Sequence, residues 1–128
     1  MKTLVGLSFL IIFLIAAVSL AACGSQSQGG PDQAVTGDPA VGKELFTTCQ
    51  ACHGVTGEGV PGLGNNLTTS EFVAGKGDAE LVEFIKVGRD ANDPLNTSGI
   101  MMPPKGSNPG LSEQDLFDIV AYIRTIQE

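Results

Sequence analysis

Apolar residues recur at helical spacing in three segments of the chain and, more briefly, in a fourth. Val41, Leu45, Phe46 and Cys49 fall on one side of a segment opened by Asp38-Pro39, with Asp as N-cap and Pro at the first helical position. They predict a helix from about Pro39 to Ala51. Leu81, Val82, Phe84 and Ile85 form the apolar side of a helix over Ala79 to Val87, with Asp78 as its cap and Gly88 as its stop. Leu116, Ile119, Val120 and Ile123, with Tyr122 beside them, make the buried stripe of a last helix from about Glu113 to Ile126. Ser112-Glu113-Gln114-Asp115 opens it as a capping box with Asp where Glu or Gln is commoner. Thr69 or Ser70 suits the start of one further turn through Phe72 and Val73, which Gly75 and Gly77 end.

Between these segments the pattern stops. Gly54 to Gly62 is too rich in Gly to hold a helix, and Gly64-Asn65-Asn66-Leu67 closes that loop. Arg89 to Gly110 has no periodicity and contains Pro94, Pro103, Pro104 and Pro109; loops of that length inside a domain are usually functional. The pattern implies an all-α fold of three to five short helices. With 17 Gly, 7 Pro and only 5% aromatic residues, such helices lack the bulk for a core of their own and suit wrapping around something large and apolar.

Cys49-Gln50-Ala51-Cys52-His53 identifies that object. Two thiols separated by two residues can each add across one vinyl group of a haem, and a histidine directly after the second stands under the iron. The run therefore reads as an attachment site for one covalent haem c, with Cys49, Cys52 and His53 as its residues. A thioredoxin-type pair needs a βαβ setting that is missing here. A structural zinc site wants four ligands, and a plain disulfide leaves His53 without a role. His53 is the one histidine, so a second imidazole cannot complete the iron, and the remaining candidates in the mature chain are Met101 and Met102. Met102 is preferred, because Pro103 holds the residue before it extended and Pro104 stiffens the backbone beyond. A thioether opposite a histidine raises the reduction potential. The alternative is that both methionines are core filler and the iron is open.

The start of the chain has a different character. Lys2 is succeeded by the uncharged, mainly apolar run Thr3 to Cys23, which ends in Leu20-Ala21-Ala22-Cys23. A basic residue, an apolar stretch and small residues at the end make a secretory signal over residues 1–22. The closing four residues resemble the lipobox of bacterial lipoproteins, which implies diacylation of Cys23 and stable anchoring. An uncleaved membrane span is the competing reading. Residues 23–37 then comprise the lipidated cysteine and a Gly/Ser/Gln linker, whose reach of roughly 20 Å would present a haem face at the membrane surface. Residues 38–128 form the haem domain. The expected location is the outer face of a bacterial cytoplasmic membrane. Removing residues 1–22 takes away Lys2 alone, so the formal charge of −7 becomes −8. That surplus excludes nucleic acid and anionic headgroups as partners and leaves a basic protein surface as a possible one.

From about Asp38 to Glu128 the chain resembles a class I cytochrome c. The likeness rests on Gly42-Lys43-Glu44-Leu45-Phe46, Cys49-Gln50-Ala51-Cys52-His53-Gly54, Met102-Pro103-Pro104 and Val120-Ala121-Tyr122-Ile123. It implies a first and a last helix crossed beside the haem, with Gly42 and Phe46 meeting Tyr122, and it supports Met102 as axial ligand. Two departures stand out. Phe46 precedes Cys49 by three residues where many members have four, so the turn into the motif is expected to wind differently. Asn65 stands where the family often has a proline whose carbonyl accepts the proximal histidine's N–H, which predicts a less rigid loop. Asp93-Pro94-Leu95-Asn96 and Met102 to Gly106 look like mono-haem subunits of bacterial membrane respiratory complexes, including the lipid-anchored one of alternative complex III. The resemblance implies a one-electron carrier in or next to a respiratory or photosynthetic chain, with redox proteins as partners, no small-molecule substrate and no enzymatic activity. The alternative is a haem enzyme or gas sensor with an open sixth position.

Overall fold

The structure, a computed structural model, describes residues 35–128; the predicted signal over 1–22, the lipidation site Cys23 and residues 24–34 of the linker lie outside the described residues. Asp38 starts the first helix as its position predicts. Its carboxylate accepts the N–H groups of Ala40 (2.8 Å) and Val41 (3.4 Å) and caps α1, Pro39–Leu45. The expected single helix to Ala51 does not form. A 3-10 turn, Phe46–Thr48, tightens the chain so that Cys49 N–H donates to Phe46 O at 2.8 Å, and α2, Gln50–His53, restarts from Cys49. The three-residue spacing of Phe46 and Cys49 is the spacing that such a turn closes.

The later helices keep to their predicted segments. Ser70, of the two candidate caps, accepts Val73 N–H at 3.3 Å and opens α3, Glu71–Ala74. The helix predicted from Ala79 begins one residue earlier as α4, Asp78–Val87, and Asp78 is not its cap. Gly77 is the cap residue, its N–H donating to Glu80 Oε2 at 2.9 Å, and the Asp78 carboxylate turns instead to Arg124 Nε at 2.9 Å. After a tight turn at Pro104–Ser107 comes α5, Glu113–Thr125, ending one residue short of the predicted Ile126. Its capping box is present: Ser112 N–H donates to Asp115 Oδ2 at 2.7 Å, and Asp115 N–H to Ser112 Oγ at 3.2 Å. Among the described residues there is no strand, only isolated bridges pairing Val60 with Gly64 and Arg89 with Met102. No described helix is long and apolar enough to cross a membrane.

Helices α1 and α5 cross at Gly42, where a Cβ would overlap the carbonyl of Asp118. This close approach turns Gly42 inward and leaves Val41, which the spacing had placed on the apolar side, 44% exposed. Phe46 is fully buried beneath the crossing, with its ring 5.1 Å from that of Tyr122 at an interplanar angle of 59°. Leu116, Ile119 and Val120 of α5 and Val82 of α4 complete the innermost core. Burial of each such side chain contributes about 1.5–3 kcal/mol.

Two polar clusters hold this frame together. The buried Asp118 carboxylate accepts Asp38 N–H at 2.8 Å and Gln114 Nε2 at 2.9 Å, tying the start of α1 to α5. Arg124 joins α5 to the α3–α4 connection by donating to Asp78, to Val73 O at 2.8 Å, to Lys76 O and to Gln127 Oε1 at 2.9 Å. Neither cluster shows in a hydropathy pattern, because each joins residues far apart in sequence.

Candidate haem site

One turn of helix carries both thiols. His53 N–H donates to Cys49 O at 3.0 Å and Cys52 N–H to the same oxygen at 3.2 Å, so α2 holds Cys49, Cys52 and His53 in a fixed relation. Both sulfurs are free thiols. Burial, then the neighbouring Cys52, pushes the Cys49 thiol up to about 11, so it is held neutral, as suits a sulfur placed against an apolar wall.

The glycine-rich loop folds back over this turn. Gly59 N–H donates to His53 O at 2.7 Å and Val60 N–H to Cys52 O at 3.1 Å. Gly64 lies so near the backbone of Cys52 that a Cβ there would overlap its carbonyl. This contact delivers the next residue: Asn65 O lies 2.8 Å from His53 Nδ1 and accepts its N–H. With its proton on Nδ1, the ring leaves the Nε2 lone pair available to a metal. The carbonyl expected at Asn65 is thus in place, while the expected loss of rigidity is offset by a bond that went unforeseen. Thr97 Oγ1 donates to Asn65 Oδ1 at 3.0 Å and pins the residue from the far loop.

The second wall is built around Met102. Arg89 and Met102 exchange both backbone hydrogen bonds at 2.9 Å, which fixes the height of the methionine against the end of α4. Gly88 permits the approach. Its φ is +76°, and a Cβ there would overlap the Met102 carbonyl. Both methionines border the cavity, but Met102 packs against the core, whereas Met101 is 55% exposed. Beyond Pro103-Pro104 the backbone turns through three left-handed residues, Lys105 (φ 51°), Gly106 (φ 60°) and Ser107 (φ 67°). The two non-glycine residues cost about 1–3 kcal/mol each, and Lys105 Nζ offsets part of it by donating to Leu111 O at 2.7 Å.

These walls enclose a cavity of about 270 Å³ lined by Cys49, Cys52, His53 and Met102 together with Phe46, Phe72, Leu81, Ile85 and Ile119. Two free thiols followed by an imidazole with an available nitrogen are what covalent attachment of a haem c requires, and with apolar sides and a thioether bordering the same cavity the residues fit it. The family model described as Cytochrome c matches residues 39–127. The chain belongs to the cytochrome c family. Cytochrome c-554(548) of Halomonas halodenitrificans is 36% identical over 86 residues, which are 67% of this chain and 93% of that protein. Cytochrome c-554(547) of Halothiobacillus neapolitanus is 34% identical over 99 residues, 71% of this chain and 99% of that protein. No solved structure matches. As a family member the protein carries one covalently bound haem c and transfers electrons, and it is a carrier and not an enzyme. The all-α class I fold, with Gly42, Phe46 and Tyr122 at the crossing, is the one the resemblance implied.

Proposed function

We propose that the chain is a one-electron carrier whose iron is held by His53 and Met102, tethered through a lipidated Cys23 to the outer face of a bacterial cytoplasmic membrane. The observation that carries the ligand pair is the contrast at the two methionines: Met102 packs inward against the core, held by two backbone bonds to Arg89, while Met101 is exposed. His53 supports the other side with its tautomer set by Asn65. When bound, the haem supplies a one-electron couple between ferric and ferrous iron. The polypeptide's work is to fix the imidazole, hold the thioether and exclude water from the cavity, so that little rearranges when the charge changes. Ligation by Met102 is tested by the far-red charge-transfer band of the ferric protein, expected to persist in Met101→Ala and vanish in Met102→Ala. A ferric wild type without that band overturns the assignment.

The tether, with residues 1–22 removed as a signal, rests on Leu20-Ala21-Ala22-Cys23 and on the Gly/Ser/Gln stretch after it. By the same reading the domain begins at residue 38 and works beside, or as a subunit of, a membrane respiratory or photosynthetic complex, with redox proteins as partners. Mass spectrometry of the native protein is expected to report haem and diacylglyceryl masses together on a chain beginning at Cys23. A chain that retains residues 1–22, or a Cys23 without lipid, overturns the tether.

A further inference from the structure

Arg89 is the sole Lys or Arg lining the cavity among the described residues, and no Asp or Glu lines it. Its side chain is only 11% exposed. The guanidinium carbon stands 4.5 Å from the ring centroid of Phe72 and 4.8 Å from that of Phe84, and the two rings themselves pack edge to face at 4.9 Å. Nη1 donates to Leu95 O at 3.0 Å. Nε–H, by contrast, is buried and has no acceptor among the described residues. The nearest carboxylate oxygen, Asp93 Oδ2, is 3.9 Å from Nε and out of hydrogen-bond reach, while Asp93 Oδ1 is taken by Leu95 N–H at 2.7 Å. A buried cationic donor without an acceptor is costly, and two aromatic faces hold this one rigidly in place.

A haem brings two carboxylates on its propionate arms, and the cavity otherwise offers them no cation. We infer that Arg89 is the cavity's carboxylate receptor, its Nε–H closing on a haem propionate. The inference rests on one haem c in the cavity and is independent of which group is the sixth ligand. Arg89 is then a positioning residue with two attachments, since its backbone also pairs with Met102. Its fixed positive charge favours the less positive ferrous state, so the same residue that seats the cofactor raises the reduction potential.

The test uses the full-length holoprotein in its diamagnetic ferrous state. Arg89 Nε–H is expected to give a slowly exchanging NMR resonance with Overhauser contacts to a propionate methylene; contacts confined to Asp93, Leu95 and the phenylalanine rings overturn the inference. Arg89→Gln is expected to shift the ferric/ferrous equilibrium several-fold toward ferric, a tenfold shift being 59 mV for one electron. Arg89→Lys, which keeps the charge, is expected to recover part of it. A potential unchanged in Arg89→Gln alongside a lower Tm reduces Arg89 to a structural residue and overturns the inference. Should Arg89→Gln not fold, the wild-type resonance decides. A coloured holoprotein that keeps its far-red band and lacks the propionate contact leaves haem and ligands standing and removes only the role of Arg89.

Discussion

Thr97 and Asn65 are 32 residues apart, and the hydroxyl of one donates to the side-chain oxygen of the other at 3.0 Å. Through that bond the loop of Met102 braces the carbonyl that orients His53. Thr97→Val keeps the shape and removes the donor. It is expected to leave haem content unchanged and to lower stability by about 0.5–1.5 kcal/mol in denaturant titration, toward the lower end because the bond is exposed. Loss of haem incorporation in this variant would show that the brace is needed for assembly and not for stability alone.

Gly42→Ala tests the helix crossing. The obstacle to a Cβ is the backbone of Asp118 and Ile119, which cannot swing aside as a long side chain does. A fall of about 1–3 kcal/mol or more is expected, seen as a lower denaturation midpoint with an unchanged slope. Phe46→Ala, which empties the space beneath the crossing, is expected to cost about 3–5 kcal/mol.

Gly88→Ala separates the methionine wall from the rest of the core. Its φ of +76° strains any L side chain, and the new Cβ meets the Met102 carbonyl. The expected outcome is loss or weakening of the far-red band while the covalent haem stays, since Cys49 and Cys52 are on a different element. An undisturbed band would mean that the Met102 segment has another support.

Acidification should act on the start of α5. Hydrogen bonds from the Ser112 hydroxyl and then from its backbone N–H hold the Asp115 carboxyl below the usual carboxylate value. A group with a depressed folded pKa contributes stability that is present above its unfolded value, near 4, and is lost as pH falls through the folded one. Asp115→Asn is therefore expected to lower stability at neutral pH and to flatten its acid dependence below about pH 4, as read from unfolding midpoints against pH.

Much of the site was legible in the residue order because it is local. Cys49, Cys52 and His53 lie on one turn, Met102 carries its own prolines, and Ser112 with Asp115 makes a cap from four consecutive residues. Spacing was a weaker guide where packing chose otherwise. Val41 fits the apolar stripe, yet the crossing selects the smaller Gly42; Asp78 has the chemistry of a cap, yet Arg124 claims its carboxylate and Gly77, with its N–H held by Glu80, is the cap residue. Arg89, Asp118, Arg124 and Thr97 were not found, because what defines each is a partner brought near by folding. For Arg89 the one local hint was its place directly after the helix-ending Gly88.

The contact of Gly42 with Asp118 spans most of the haem domain, so α1 has nothing to dock against until α5 exists. During synthesis the stretch bearing Cys49 and Cys52 emerges well before that closing partner. The two sulfurs thus lie on an open chain until the last helix has been made and can close over α1.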